Sequence, residues 1–471
     1  MLRTTQNNPE NSSTVALAKR EAAERLMLSR VPRWQEELVS EHPACGEAVV
    51  FSSLLAALEE RAASARNVSP WQPRRREDTS FEQTIDALLE ETFSQPNATD
   101  ALLEPHLLGW FVQAFHTTRR EESFAAHTSK EAKHSSAITS TQLYTPRWCA
   151  DFMAQTLLEP ARWSHMPRVC DPCSGGGQML LAALDVLANH HPDADALALA
   201  GALHGVDLDA RAVDAARRSL FARLQELRDV DACSLDALRD LLCAQLTDAD
   251  GLGNPKDSFD VILTNPPYMG SRSMPSKLKK TLSDGWRPFH HDLYTAFMHR
   301  AFELAPRGRV GLLTQQTIWY LSRFEDAREA LMQRAHLTHF VHLGHGAFAA
   351  LSGEKANVVI TLHDLAKAPD GDLDTTRTCE FIDLRSRGEE ERREALLAWT
   401  EQPDSQRDTA QQLDSFEALP GKPLAHWLAP AWRALFKGDT PRLGDLATVP
   451  GSQNKTGKNS RYIKSWKDVP G

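Results

Sequence analysis

A chain of 471 residues, 41% hydrophobic and 25% charged with a net charge of −10, has the composition of a folded globular protein and more length than one hydrophobic core usually serves. It has no run of roughly 18 uncharged apolar residues and no secretory signal in MLRTTQNNPENSS, which argues against a membrane role and for a cytoplasmic location. Its 7 cysteines, spread from Cys45 to Cys379, make no disulfide framework, and the negative total argues against a uniformly basic nucleic-acid binder, so any nucleic-acid contact has to come from local basic clusters.

Residues 1–140 carry apolar positions at helical spacing, as in ALAKREAAERLMLSRV and SSLLAALEERAASA, with WQPRRRED as a turn-rich break. They predict an all-helical N-terminal domain ending in a polar stretch, RREESFAAHTSKEAKHSSAITS. From residue 141 short β-rich runs alternate with amphipathic helices: RVCD then QMLLAALDVLANH, ALHGVD then ARAVDAARRSLFARL, FDVILT then DLYTAFMHRAFELA, and RVGLLTQQ. That alternation predicts a doubly wound α/β domain over residues 141–437. HLTHFVHLG, NVVITLHDL and TCEFIDL supply further strands before a charged helix around RGEEERREALLAWT. A Gly-, Ser-, Asn- and Lys-rich segment, 438–471, then begins what reads as another domain.

Three constellations carry chemistry. Asp171-Pro172-Cys173-Ser174-Gly175-Gly176-Gly177-Gln178 follows a predicted strand and opens a predicted helix, where ligands sit in open α/β sheets and glycines let backbone N–H groups approach closely. It is neither the GxGxxG fingerprint nor a phosphate loop, since no Gly-Lys-Ser/Thr follows. In GVDLDARAV the next strand ends on Asp207, an acid placed to accept hydrogen bonds from both ribose hydroxyls of a nucleoside-like cofactor; Asp209 reads as the cap of the following helix.

The third is Asn265-Pro266-Pro267-Tyr268 after the apolar run 259–263. Two prolines cannot continue a ladder, so the chain turns and presents the Asn265 amide oxygen and a free backbone carbonyl at the sheet edge. Two such acceptors can take both hydrogens of an NH2 group, which localises the nitrogen lone pair for attack on an electrophilic methyl. Tyr268 can stack on the ring that bears the amine, a contact that contributes roughly 1–3 kcal/mol per base.

With these residues the chain resembles the amino-directed DNA methyltransferases, in which NPPY is the catalytic motif and the Gly-rich turn binds S-adenosylmethionine. The resemblance implies a Rossmann-like S-adenosylmethionine-dependent methyltransferase sheet. Within GlnLeuTyrThrPro it implies that Tyr144, Thr145 and Pro146 lie against the donor's amino-acid end, and the motif order is that of the gamma class. TQLYTPRW, NPPYMGSRSM, DLYTAFMHRAFELAPRGRVGLLTQQTIWY and QNKTGKNSRYIKSW are similar to the BREX phage-defence methyltransferases and the related Type IIG enzymes over roughly residues 100–471. The resemblance implies methyl transfer to N6 of a flipped adenine in double-stranded DNA. It further implies other phage-defence proteins as partners, and a target recognition domain that starts at 438–471 and is truncated or split off. No PD…ExK arrangement marks a nuclease in the N-terminal region. The resemblance further implies that the acid touching the donor adenine is Asp248 or Asp250, between which spacing does not choose, and that Leu362 stands where relatives often place the aromatic that sandwiches the base.

Other readings compete. NPPY also serves enzymes that methylate the glutamine amide of proteins or guanine N2 of RNA, and a donor-binding scaffold with little turnover is a third possibility. Cys170 and Cys173 form a CxxC without a second ligand pair, and the histidines at 290, 291, 342 and 345 read as satisfied polar residues, so no metal is expected. Arg74 to Arg76, the loop cations Arg272, Lys277, Lys279 and Lys280, and Lys455, Lys458, Arg461, Lys464 and Lys467 are local basic clusters; those after NPPY lie beside whatever enters the site.

Overall fold

Helical period in the first hundred residues becomes a packed set of helices, Pro9–Glu41, Glu47–Arg66, Ser80–Phe93, Thr99–Leu102 and 107–115. The coordinates are a computed structural model that describes residues 9–72, 79–95, 98–115, 145–253, 257–345, 357–366, 377–402 and 409–436. Both domain boundaries expected from the sequence, at 140/141 and 437/438, and the basic residues 74–76 and 455–467, lie outside them. Among the described residues no helix is long and apolar enough to cross a membrane.

The apolar faces of these helices share one core with Ala212 and Ala215 of the helix Ala210–Leu227, so the helical layer leans on the α/β part. A buried ion pair fastens the seam. Arg218 reaches Glu59 across it and Asp214 one turn back, while Glu59 also accepts the Trp71 N–H. Burial pushes the Glu59 carboxyl up and Arg218 pulls it back. Breaking one partner of such a pair strands a charge in low dielectric.

The α/β part is a nine-stranded sheet: β1 Val169–Asp171, β2 Leu203–Asp207, β3 Leu246–Asp248, β4 Val261–Thr264, β5 Arg309–Gln315, β6 His336–Gly344, β7 Val358–Asp364, β8 Thr378–Asp383 and β9 Ala410–Gln412. Their spatial order is β3-β2-β1-β4-β5-β7-β6-β8-β9. The first five are mutually parallel, and helices return the chain over a sheet face between β1 and β2, between β2 and β3 and between β4 and β5. Strands covered on both faces carry apolar runs, Val261 to Leu263 in β4 and Val358 to Ile360 in β7, and every residue of both strands is buried. Each such Val, Ile or Leu contributes about 1.5–3 kcal/mol by leaving water.

β7 runs antiparallel to both neighbours, wedged between β5 and β6. No helical period lies between HLTHFVHLG and NVVITLHDL, so β6 and β7 pair directly as consecutive antiparallel strands. The doubly wound α/β class holds, with β7 reversed inside the sheet and the short edge strand β9 reversed against β8. The order also reverses at β1/β4, and in open sheets the crevice beyond the carboxyl ends at such a switch point is where ligands bind.

Candidate functional site

Asp171 ends β1, and the chain turns through Pro172–Gly177 into the helix Gln178–His190. The turn is fixed by its own backbone: Ser174 N–H donates to Val206 O at 2.9 Å and Gly177 N–H to Ser174 O at 2.9 Å. Gly177 sits at φ +86°, and a Cβ there would lie 3.0 Å from the Ala216 methyl, so glycine alone fits. Asp207, at the tip of β2, clamps the loop from the side. Its Oδ2 accepts Gly175 N–H at 2.8 Å and its Oδ1 accepts Asp209 N–H at 2.9 Å. Asp209 caps the helix Ala210–Leu227 by accepting Arg211 N–H, as its position suggests.

The neighbouring tip, that of β4, is tied to this loop. Thr264 Oγ1 donates to Asp171 Oδ1 at 2.7 Å, and Cys173 Sγ lies 2.9 Å from Thr264 Oγ1. With the threonine proton committed to Asp171, the thiol is the donor in the second contact. Asp171 Oδ1 also accepts Cys173 N–H at 3.1 Å. Burial nevertheless drives the Asp171 carboxyl up to about 7, opposed by Thr264 and the Cys173 N–H and helped by the charge of Asp207.

Asn265 follows Thr264 directly, half-buried, so the glycine turn and the Asn265-Pro266-Pro267-Tyr268 turn stand side by side at the switch point. Tyr268 is turned inward. Its hydroxyl lies 3.0 Å from Asn265 Oδ1 and 3.1 Å from Leu313 O, able to donate to either, and its ring meets Tyr294 edge-on at 5.9 Å. The amide oxygen expected to receive an amine thus already holds a hydroxyl.

Thr145 and Pro146 precede the helix Arg147–Leu157, where Arg147 bonds Asp151 and Asp185, each at 2.6 Å, and also meets His106; Tyr144 lies outside the described residues. Asp248 is the register partner of Asp207 across β2 and β3, whereas Asp250 spends Oδ1 on its own turn, accepting Leu252 N–H at 3.0 Å. The next residue, Gly251, is pressed on the loop: a Cβ there would stand 1.9 Å from Pro172 O. Leu362 is fully buried in β7, opposite Gly311 and His339. Cys170 is buried away in a separate apolar cluster, and all seven cysteines are free. Among the described residues no group of three or more His, Cys, Asp or Glu is placed to hold a metal.

Three contributors escape a motif search. Thr264, the strand's last residue, is an ordinary β former whose role appears only when β4 lies beside β1. Asp292 accepts Met269 N–H at 3.0 Å and so folds the segment after NPPY back onto the helix Leu293–Leu304; burial raises its carboxyl to about 6. The signal was an acid just before a helical run. Gly109 comes from the N-terminal layer: a Cβ added at Gly176 would lie 2.6 Å from its Cα, and one added at Gly109 would lie 2.4 Å from Gln178 Nε2. Helix 107–115 therefore backs the glycine turn, and Gln178 Nε2 and Ser174 Oγ are buried there without a hydrogen-bond partner. A loop of close backbone amides with an acid at the adjacent strand tip and spare polar groups fits a nucleoside-bearing ligand with a charged end.

Residues 202–348 match the Eco57I restriction-modification methylase family model. Over 212 residues, 45% of the chain, the sequence is 27% identical to adenine-specific methyltransferase PglX of Lacticaseibacillus casei (strain Zhang). Over 216 residues it is 27% identical to adenine-specific methyltransferase BrxX of Escherichia coli O9:H4 (strain HS). The matched stretch spans only 17% and 16% of those relatives' own lengths. Among solved structures, a type I restriction-modification methyltransferase subunit from Streptococcus thermophilus superposes with a TM-score of 0.42 at 16% identity, covering 82% of this chain and 86% of that one. The DrdV–DNA complex superposes at 0.48 and 13%, covering 81% and 44%. By sequence the chain is thus related to the BREX-type adenine-specific methyltransferases, and residues 202–348 carry the restriction-modification methylase signature.

Proposed function

We propose that the chain binds S-adenosylmethionine on the glycine turn and transfers its methyl group to N6 of an adenine extruded from double-stranded DNA, in the cytoplasm, as part of a phage-defence or restriction-modification system with other defence proteins. One observation carries this reading: the Thr264–Asp171 bond of 2.7 Å, which holds the cofactor turn and the NPPY turn against each other at the switch point. The domain limits 1–140, 141–437 and 438–471, the last as the start of a target recognition domain, belong to the same reading.

S-adenosylmethionine, when bound, supplies an electrophilic methyl on a sulfonium. Asp207 accepts from the ribose hydroxyls, Asp248 or Asp250 meets the adenine edge, and Thr145, Pro146, Ser174, Gly175 and Gly177 border the amino-acid end. Asn265 Oδ1 and a carbonyl of the Pro266-Pro267 turn accept the two amine hydrogens of the target base, while Tyr268 offers its ring. Sequencing genomic DNA for N6-methyladenine with and without the gene tests this directly. Loss of methylation at one recurrent sequence on deletion is the expected result, and identical methylomes would sink the DNA substrate.

A pH dependence follows from Asp171. Its carboxyl, held at about 7, is largely protonated below that pH in the free protein. A cationic ligand nearby favours the carboxylate, so binding expels a proton. Affinity for S-adenosylmethionine should therefore rise between about pH 6 and pH 8 and level off above. Calorimetry in buffers of different ionisation enthalpy checks it, and Asp171→Asn should flatten the profile.

A further inference from the structure

Beyond the NPPY turn, the same carboxyl edge of the sheet carries a bank of rings. Tyr320 follows β5, His342 lies near the end of β6, and Asp383 ends β8, in register with His342. Tyr320 stacks on His342 at 5.7 Å and meets Trp427 at 5.1 Å, and His426 stands edge-on to Trp427 at 5.1 Å. His342 Nδ1 lies 3.1 Å from His426 Nε2, and its other nitrogen meets Gln316. Burial pushes His342 down to about 3 and His426 to about 4, so both rings are neutral packing. Arg385 lies over Trp427, 4.6 Å from the ring centroid, and two bonds to Asp383, of 2.9 and 2.6 Å, fix its plane.

With this much support, Trp427 still leaves 50% of its surface in solvent, and Leu321 beside Tyr320 leaves 43%. The segments that follow the NPPY turn and β5 in the chain are basic. Arg287 and Arg323 are exposed and close enough to the paired rings of His290 and His291 to lower their pKa values after burial. Arg272, Lys277, Lys279 and Lys280 are also exposed, and among the described residues none of these six cations is in an ion pair. On a chain of net charge −10 that is a local field of the opposite sign, suited to phosphates. The β4 and β6 tips are three strand spacings apart, about 14 Å, the scale of a duplex groove.

We propose that Trp427, backed by Arg385, is a stacking platform for a nucleotide of the DNA flanking the adenine held at Asn265, with the phosphates on Arg287 and Arg323. Asp383 neutralises the Arg385 guanidinium, so this end of the strip recognises through ring area and the other through charge. The proposal rests on the reading that the substrate is DNA.

The test is fluorescence anisotropy of the 471-residue chain with a short labelled duplex carrying one adenine opposite an abasic site, which lowers the cost of extrusion. Trp427→Ala should weaken binding about tenfold at an unchanged melting temperature, and Trp427→Phe, which keeps a ring, should recover most of it. If the alanine variant melts early, the unaltered chain still decides: 5-iodouracil next to the adenine should photo-crosslink to Trp427. Equal affinities of wild type and Trp427→Ala, or crosslinks confined to other residues, overturn the platform and leave the methyl-transfer reading standing. A wild-type chain without affinity for the duplex also overturns the platform, while the comparison of methylomes with and without the gene decides the substrate reading separately.

Discussion

Replacing Asn265 by alanine should lower turnover by about two to three orders of magnitude, the usual loss when one preorganised polar contact to the reacting group is removed. The change should act far more on kcat than on S-adenosylmethionine binding, since in the proposed reaction the amide grips the amine. Tyr268 supplies the contrast. Its hydroxyl is 3.0 Å from Asn265 Oδ1, so an incoming amine has to displace it, and 3.1 Å from Leu313 O, which can receive it when it leaves. Tyr268→Phe removes this competitor together with one anchor of the ring, two effects of opposite sign. Its cost should be small beside that of Asn265→Ala. Tritiated methyl transfer to genomic DNA from a strain lacking the gene measures both variants in an active form. Comparable losses in the two would mean that the hydroxyl is needed in the reaction and that the amide grip is not the main device.

Much of the fold was legible because period and composition agree there. RVCD, ALHGVD, FDVILT, RVGLLTQQ, HLTHFVHLG and NVVITLHDL each contain or overlap a strand, and the helix after RVCD runs over Gln178–His190 as its apolar spacing implies. β3 and β9 were not legible. Each has three residues, LTD and AQQ, too few and too polar for a period of two to stand out. The reversal of β7 was legible in principle, through the lack of a helical apolar period in the sequence between HLTHFVHLG and NVVITLHDL, but strand direction is a property of connections rather than of the strand's own residues.

At the site, motif spacing put the glycine turn, Asp207 and Asn265 on strand tips, which is where they stand. What it left out is contact across elements. Nothing in a run such as HLLGWFVQAF says that Gly109 meets Gly176, and nothing in LTNPPY says that its threonine bonds an aspartate 93 positions away. Leu362 shows the opposite limit: a position matched by order along the chain turned out to be interior to β7, because burial depends on both strands flanking it.

The second large effect is expected at Asp207. Asp207→Ala should weaken S-adenosylmethionine binding by roughly a hundredfold, since hydrogen bonds to a charged group contribute about 1.5–3 kcal/mol and each 1.4 kcal/mol is tenfold. Part of that loss is indirect. Alanine also strands the Gly175 and Asp209 N–H groups that the carboxylate now accepts, so the glycine turn loosens and the melting temperature should fall as well. Asp207→Asn separates the two contributions. Its remaining oxygen can still accept one backbone N–H while its NH2 cannot accept from a ribose hydroxyl, so it should keep more of the stability than of the affinity. Isothermal titration beside a thermal melt reads both. If asparagine lost stability and affinity in the same proportion as alanine, Asp207 would be a strut of the turn and the ribose contact would have to come from elsewhere.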